Sequence, residues 1–428
     1  MRPIGMSRRN ILKSALSLIG ISVATRYSPF IYSPVYAGSQ ESVNWAGISY
    51  IDGEHADLNH TRDALKITVP GSNQTKVNKA LEDALSDLNW EEIGLSNLVM
   101  EGYATTRYGM IFALATEMII KLDVREEYTD VILRLVGYNI LFNNESKTIV
   151  STFPVRGKYL QIYEGSKAVN ITDLFLEMIT GGNNASDSVA SWYRENLSSR
   201  SFKLGEDKGW TWVVAPILHR DRVVADCAGI DTSVDKFKDM IGLAATAAFG
   251  DALNTPVSPF RLSRATEADM LEVGGDYEMS LKLPEPDYAI EIKLRGWQFD
   301  EEQITQHRKQ IGLVVGVSIR FVEVNRREES GSFNFGEEFF NQRYRGIHKY
   351  LEMSNRDSAS SRLSRVYILY EGLLEIAFRA IAEDSIRKQL LDGYVRETEF
   401  MQLSYTVMPD NKQSIDSQSR AVMKELSP

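Results

Sequence analysis

One cysteine among 428 residues leaves no internal disulfide framework, no iron–sulfur cluster and no cysteine-ligated zinc ribbon. Glycine (29 residues) and proline (12 residues) are too sparse for a collagen-like or low-complexity chain. Net charge is also one-sided, −10 at neutral pH, so the chain as a whole does not offer the basic face that nucleic acids or anionic lipids require. What is present is the balance of a folded protein, 43% hydrophobic, 10% aromatic and 25% charged. At roughly 100 to 200 residues per domain, the length predicts two domains, or three small ones.

The N-terminus carries the most specific signal. Ser7 to Lys13 reads S-R-R-N-I-L-K, and Ser14 to Thr25 follows as an uncharged stretch. That stretch falls short of the roughly 18 apolar residues of a membrane span. Val35-Tyr36-Ala37 then offers a cleavage site after Ala37, with Ser22-Val23-Ala24 as an alternative. The adjacent Arg8 and Arg9, the apolar stretch and the small-residue site together resemble the twin-arginine export signal.

The resemblance implies a periplasmic protein with no stable membrane anchor after signal removal. Residues 1–37 hold five cations and no acid, so the mature chain would carry −15. Local basic patches stay open. Export of already folded chains also raises the expectation of a bound cofactor without naming one. Cys227 is expected to be buried, and it does not stand where a lipid-modified cysteine would.

The mature chain reads as α+β, largely antiparallel sheets with flanking helices. A strand is expected over 44–51 and a helix over 74–88, with Val77, Leu81, Ala84, Leu85 and Leu88 on one face. Extended stretches follow over 106–123, 129–142 and 147–155, the last two joined by the turn residues Asn143 to Ser146. Helices are expected over 171–179, ended by Gly181-Gly182-Asn183-Asn184, and over 188–197.

A similar order then begins again: a strand over 210–219, a helix over 234–253 and strands over 288–299, 312–324 and 332–345. A long amphipathic helix over 361–391 closes it, broken or weakened only at Gly372. The reading is a first domain over 38–200, a second over 201–405 and a mobile tail over 406–428. The two could be similar β-α-β-β-β-α units in tandem, two unrelated α+β domains, or one large antiparallel sheet. The layout is similar to the small α+β domains of cell-envelope assembly and secretion accessory proteins, a likeness of architecture that carries no function.

Several clusters are candidates for chemistry. Asp52, Glu54, His55, Asp57 and His60 combine oxygen and imidazole groups suited to a divalent metal, although they match neither a calcium loop nor a His-Glu-x-x-His helix. The plainer account is a solvated loop whose polar residues cap the next turn. Ser233-Val234-Asp235-Lys236 matches the Ser-x-x-Lys pattern of penicillin-recognising enzymes, yet lacks its Lys-Thr-Gly partner and reads as a helix cap.

Asp287, Glu291 and Lys293 imitate a nuclease motif but sit too close in the chain to converge from separate strands. His219-Arg220-Asp221 matches a kinase triplet without its phosphate loop. Among aromatic clusters, Phe339, Phe340, Arg343, Tyr344 and Arg345 form the candidate interface, where burial in a sheet core is the competing account.

These features predict an exported, non-enzymatic binding protein, an envelope accessory or assembly factor with an envelope protein as partner and no nucleic acid. The alternatives are a carboxylate-based hydrolase of cell-wall or carbohydrate material, and a periplasmic carrier of a metal or cofactor.

Overall fold

The computed structural model describes residues 42–51, 58–100, 106–125, 128–164, 170–182, 188–199, 212–214, 218–219, 234–260, 270–275, 279–284, 286–306, 308–327, 333–353, 359–392, 394–398 and 403–426. The expected export signal, with Arg8, Arg9 and Ala37, lies outside them, as do Cys227 and Ser233. The first sheet is built on β1 (Val43–Ile51), β2 (Leu98–Val99), β3 (Tyr108–Arg125), β4 (Tyr128–Asn143) and β5 (Ile149–Glu164). Helices α1 (Asn59–Leu65) and α2 (Lys76–Ser86) lie between β1 and β3, and α3 (Ile171–Thr180) and α4 (Val189–Ser198) follow β5.

Local chemistry sets these boundaries. Thr75 Oγ1 accepts from Asn78 N at 3.1 Å to start α2, and Ser188 caps α4 in the same way. Gly181, with φ 89°, ends α3 in the left-handed conformation that glycine adopts without strain. Asn143 Oδ1 accepts from Glu145 N and Ser146 N at 2.8 and 3.0 Å, folding the β4–β5 turn.

In the second half come β6 (Trp212–Val214), β7 (Leu218–His219), α5 (Val234–Leu253), β8 (Met270–Gly275), β9 (Met279–Lys282), β10 (Tyr288–Thr305), β11 (Arg308–Arg327) and β12 (Phe333–Met353). After them stand α6 (Ala359–Ala382), α7 (Asp384–Leu391), β13 (Tyr394–Thr398), β14 (Leu403–Pro409) and α8 (Ile415–Leu426). The first sheet runs β5-β4-β3-β1-β8-β9 and the second β13-β14-β12-β11-β10-β6, with β2 beside β1 and β7 beside β10.

Both sheets share one plan: a strand pairs parallel to the first strand of a long antiparallel meander, with helix between. The order β1-β3-β4-β5 in one matches β6-β10-β11-β12 in the other. This is an α+β fold of two mostly antiparallel sheets with flanking helices.

The layers stack as helices, sheet, helices, sheet. Helices α1 to α4 pack Ala64, Leu81, Leu85, Phe175, Ile179, Tyr193 and Leu197 against one face of the first sheet, at Val43, Met110, Phe112, Leu133 and Leu135. On its other face Ile111, Ala113, Ile132, Val136 and Tyr138 join a core that continues through α5 and α6 to Ile292, Leu294, Val315, Val317 and Ile319 of the second sheet. Each fully buried aliphatic side chain contributes about 1.5–3 kcal/mol of hydrophobic stabilisation.

Three expectations need correction. The division at residue 200 does not separate the sheets, because β8 pairs with the open edge of β1 (Ser49↔Gly275, Ile51↔Val273) and completes the first sheet. The long C-terminal helix does not break at Gly372 but at Glu383, between α6 and α7. There Arg387 Nη1 donates to buried carbonyls of the last turn of α6, Ala380 O and Ile381 O, at 2.8 and 3.0 Å.

The third concerns 406–428, whose described part is ordered as β14 and α8. Ile415, Ser419 and Val422 are buried, and Asp416 Oδ1 accepts from Arg387 Nε at 2.6 Å. Two apolar residues two turns apart, Ile415 and Val422, are enough to dock an otherwise polar helix.

Candidate functional site

The second sheet presents one face to the central helices, and its opposite face carries no helix among the described residues. Period-two alternation decides what stands there. On β10, Ile290, Ile292 and Leu294 point inward, so Glu291, Lys293 and Arg295 point out. On β11, Gly316, Ser318 and Arg320 point out, and on β12, Asn341, Arg343 and Arg345. Register brings them together: Lys293 pairs with Ser318 and Ser318 with Arg343, while Gly296 pairs with Gly316 and Gly316 with Arg345.

A bulge shapes the middle of this surface. The ladder shifts between Leu294 and Gly296, where Gly296 adopts φ 101°, a value that glycine tolerates best. Tyr370 of α6 pins the bulge from inside, its hydroxyl donating to Gly296 O at 2.9 Å. Outside, Arg295 lies over Gly316, whose added Cβ would stand 3.2 Å from Arg295 Cβ.

Crossing that bare floor, Arg295 Nη1 reaches Asp410 Oδ2, just after β14, at 2.6 Å. The other oxygen, Oδ1, faces Arg345 Nη2 at 3.7 Å, and Asp410 N donates to Arg343 O at 2.7 Å. Arg295 and Arg345 therefore share one carboxylate, and Lys293 and Arg343 stand beside them on the same outer face. Among the described residues the Lys293 and Arg343 side chains are exposed and form no ion pair.

The surface is bounded. At one end Arg320 is held by Glu291 and Glu338. Partial burial opposes its charge, and the Glu338 and Glu291 carboxylates outweigh that, so its pKa lies above the ordinary arginine value. Beyond it is a small apolar corner of Ala289, Val322, Val324 and Phe335. At the other end Asp300 and Glu302 are exposed.

The expected interface residues divide. Arg343 and Arg345 stand on this surface, but Phe340 and Tyr344 are fully buried on the inner face. Phe339 is half-buried, its ring edge-on to Tyr288 and Phe321 at 5.7 and 6.3 Å. The shift between Phe321 and Val322 is a bulge that turns Phe339 and Phe340 to one side, and burial of the aromatic area wins there. Sequence reading missed Lys293, Arg295 and Asp410 as partners of the arginines, although the alternation of Lys293 and Arg295 with Ile292 and Leu294 already puts them on the outer face.

Of the expected metal ligands, Asp52, Glu54, His55 and Asp57 lie outside the described residues. His60 faces α3, with Nδ1 3.4 Å from Thr172 Oγ1 and its ring stacked on Phe175. Glu117 accepts from His60 N, Thr61 N and Thr61 Oγ1 at 2.9, 2.7 and 2.6 Å, closing the start of α1. No group of three or more His, Cys, Asp or Glu among the described residues is arranged to hold a metal ion.

A second polar cluster lies inside, between the first sheet and the central helices. Arg134 is buried against Glu371 of α6, and Arg156 Nη2 lies 2.8 Å from Asp251 of α5. Burial works against the Arg156 charge, and Asp251, Glu375 and Glu371 more than offset it, holding the guanidinium protonated. These charges are consumed by one another across the layer boundary. No described helix is long and apolar enough to cross a membrane.

No family model matches the chain, and no curated protein matches it. Among solved structures, one titled a crystal structure of lipopolysaccharide binding protein is 8% identical over 70% of this chain and 86% of that one. Its TM-score of 0.11 leaves it without weight for fold or function.

Proposed function

We propose that this chain is an exported, non-enzymatic binding protein of the cell envelope, engaging a protein partner through the outer face of its second sheet. The observation that carries the reading is the group of Lys293, Arg295, Arg343 and Arg345 on one exposed sheet face, two of them sharing Asp410, in a chain whose net charge is −10. Such a local field of opposite sign steers encounter and fixes orientation. The export part of the reading rests on Arg8, Arg9 and Ala37.

The test is a photoreactive residue placed at Ser318, compared in living cells with one at Lys79 on the solvent side of α2. The reading expects a discrete cross-linked partner from Ser318 in the periplasmic fraction, and retention of the chain in the cytoplasm when Arg8 and Arg9 are both changed to lysine. Equal cross-linking from both positions would remove the binding surface, and unchanged fractionation would remove the export route.

A further inference from the structure

We infer that the Arg295–Arg343–Arg345 cluster is a receptor for a short acidic protein segment, with Asp410 standing in for one of its carboxylates. The inference rests on the binding surface proposed above and names what that surface takes. Asp410 offers one oxygen to each of two guanidiniums, at 2.6 and 3.7 Å, so a carboxylate is already the group that this surface binds. The longer contact leaves Arg345 half exposed, and Lys293 and Arg343 add charge that Asp410 does not neutralise.

Spacing then favours an extended chain. Lys293 and Arg343 stand on either side of Ser318, their Cα atoms about 10 Å apart at roughly 4.8 Å per strand. Within β10 the pair Lys293 and Arg295, and within β12 the pair Arg343 and Arg345, are two residues apart, about 7 Å. A segment lying along the strands would point alternate side chains down at that same interval. Ser318 leaves a low floor between Lys293 and Arg343, beside the Arg295–Asp410 bridge that crosses Gly316.

The acids at both ends argue against a broad anionic surface such as a membrane. Glu291 and Glu338 close one end and the exposed Asp300 and Glu302 the other, and a lipid plane would meet them together with the arginines. A segment with about two or three carboxylates fits between them.

The full chain, titrated with fluorescent hexaglutamate at low salt and followed by anisotropy, tests this. Expected are saturable binding that hexaglutamine does not show, a loss of about fivefold for Arg343→Gln or Arg345→Gln alone, and loss beyond detection for the pair. Asp410→Asn, which withdraws the internal competitor, should tighten binding about fivefold, and 0.5 M salt should abolish it.

Circular dichroism of each variant separates a lost site from a lost fold, and a variant that fails it is replaced by Arg343→Lys, which keeps charge but not the planar fork. Hexaglutamate binding that the paired variant leaves intact overturns the inference. So does a preference for tripolyphosphate or for phosphatidylglycerol vesicles over hexaglutamate. Cross-linking from Ser318 without hexaglutamate binding would overturn the acidic segment and leave the binding surface standing, whereas absence of both would remove the surface itself.

Discussion

The two sheets repeat one strand order and differ in what lies behind them. Along β4 of the first sheet every residue from Val131 to Phe142 is buried, because α1 to α4 cover one face and α5 and α6 the other. Along β11 of the second, burial alternates residue by residue from Ile311 to Phe321. A sheet enclosed on both sides reads as a continuous apolar run, and one enclosed on a single side alternates. In a helices-sheet-helices-sheet stack, the last face has no described helix above it, and that is where glycine, serine and arginine replace isoleucine and valine. The difference teaches that the position of a unit in the stack, rather than its topology, decides whether its back face is core or outer surface.

The sharpest way to break this comparison is to place a carboxylate on matching faces. Ile132→Asp puts it on the enclosed back of the first sheet, where Ile132 is completely buried. An unpaired buried charge should cost more than about 4 kcal/mol, enough to unfold a protein of ordinary stability. Val314→Asp puts it on the outer face of the second sheet, half-buried, and should cost about 1 kcal/mol or less. Urea unfolding curves measure both. Equal losses would mean that the outer face is covered after all.

A smaller effect separates the two sheets by their arginines. Arg134, on the enclosed face, is paired with Glu371 where both are largely shielded from water, so Arg134→Met strands a buried carboxylate and should cost about 3–5 kcal/mol. Adding Glu371→Leu removes the stranded charge and should recover most of the loss. Arg295→Met on the open sheet breaks the bond to Asp410 but leaves both sites in reach of solvent, for about 1 kcal/mol or less. If the double variant stays as unstable as Arg134→Met, the pair is not what joins α6 to the first sheet.

Much of the scaffold was legible because it is local. The apolar stripe of Val77, Leu81, Ala84 and Leu85 is the buried face of α2, and Gly181 ends α3 where the glycine pair stands in the sequence. Asn143 to Ser146 does form the β4–β5 turn. Pairings between distant segments were not legible: nothing in Met270–Gly275 announces that it fills the open edge of β1, more than 200 positions earlier. The candidate site shows the same split. Arg343 and Arg345 were visible as residues, and plain alternation already sends Phe340 and Tyr344 to the opposite face; only Phe339 is turned by a bulge, which shifts the period of two without a mark in composition. Asp410 reaches them through β14, inside a stretch whose polar make-up hid Ile415 and Val422.

The finest contrast uses two glycines, each on the strand central to its meander. A Cβ on Gly137 of β4 would stand 2.8 Å from Ala113 O and 2.8 Å from the Phe112 ring, so backbone or ring must move. Gly137→Ala should therefore destabilise by about 1–3 kcal/mol, the cost of overfilling a packed core. A Cβ on Gly312 of β11 meets nothing closer than Asp300 at 3.7 Å, an ordinary contact. There the added methyl mainly restricts the unfolded chain, and Gly312→Ala should stabilise by about 0.4–1 kcal/mol. The prediction is thus one of opposite sign for the same substitution, read from paired urea midpoints. A loss at both positions would show that the outer face of the second sheet is packed as tightly as the enclosed first sheet, and the working surface would have to be sought elsewhere.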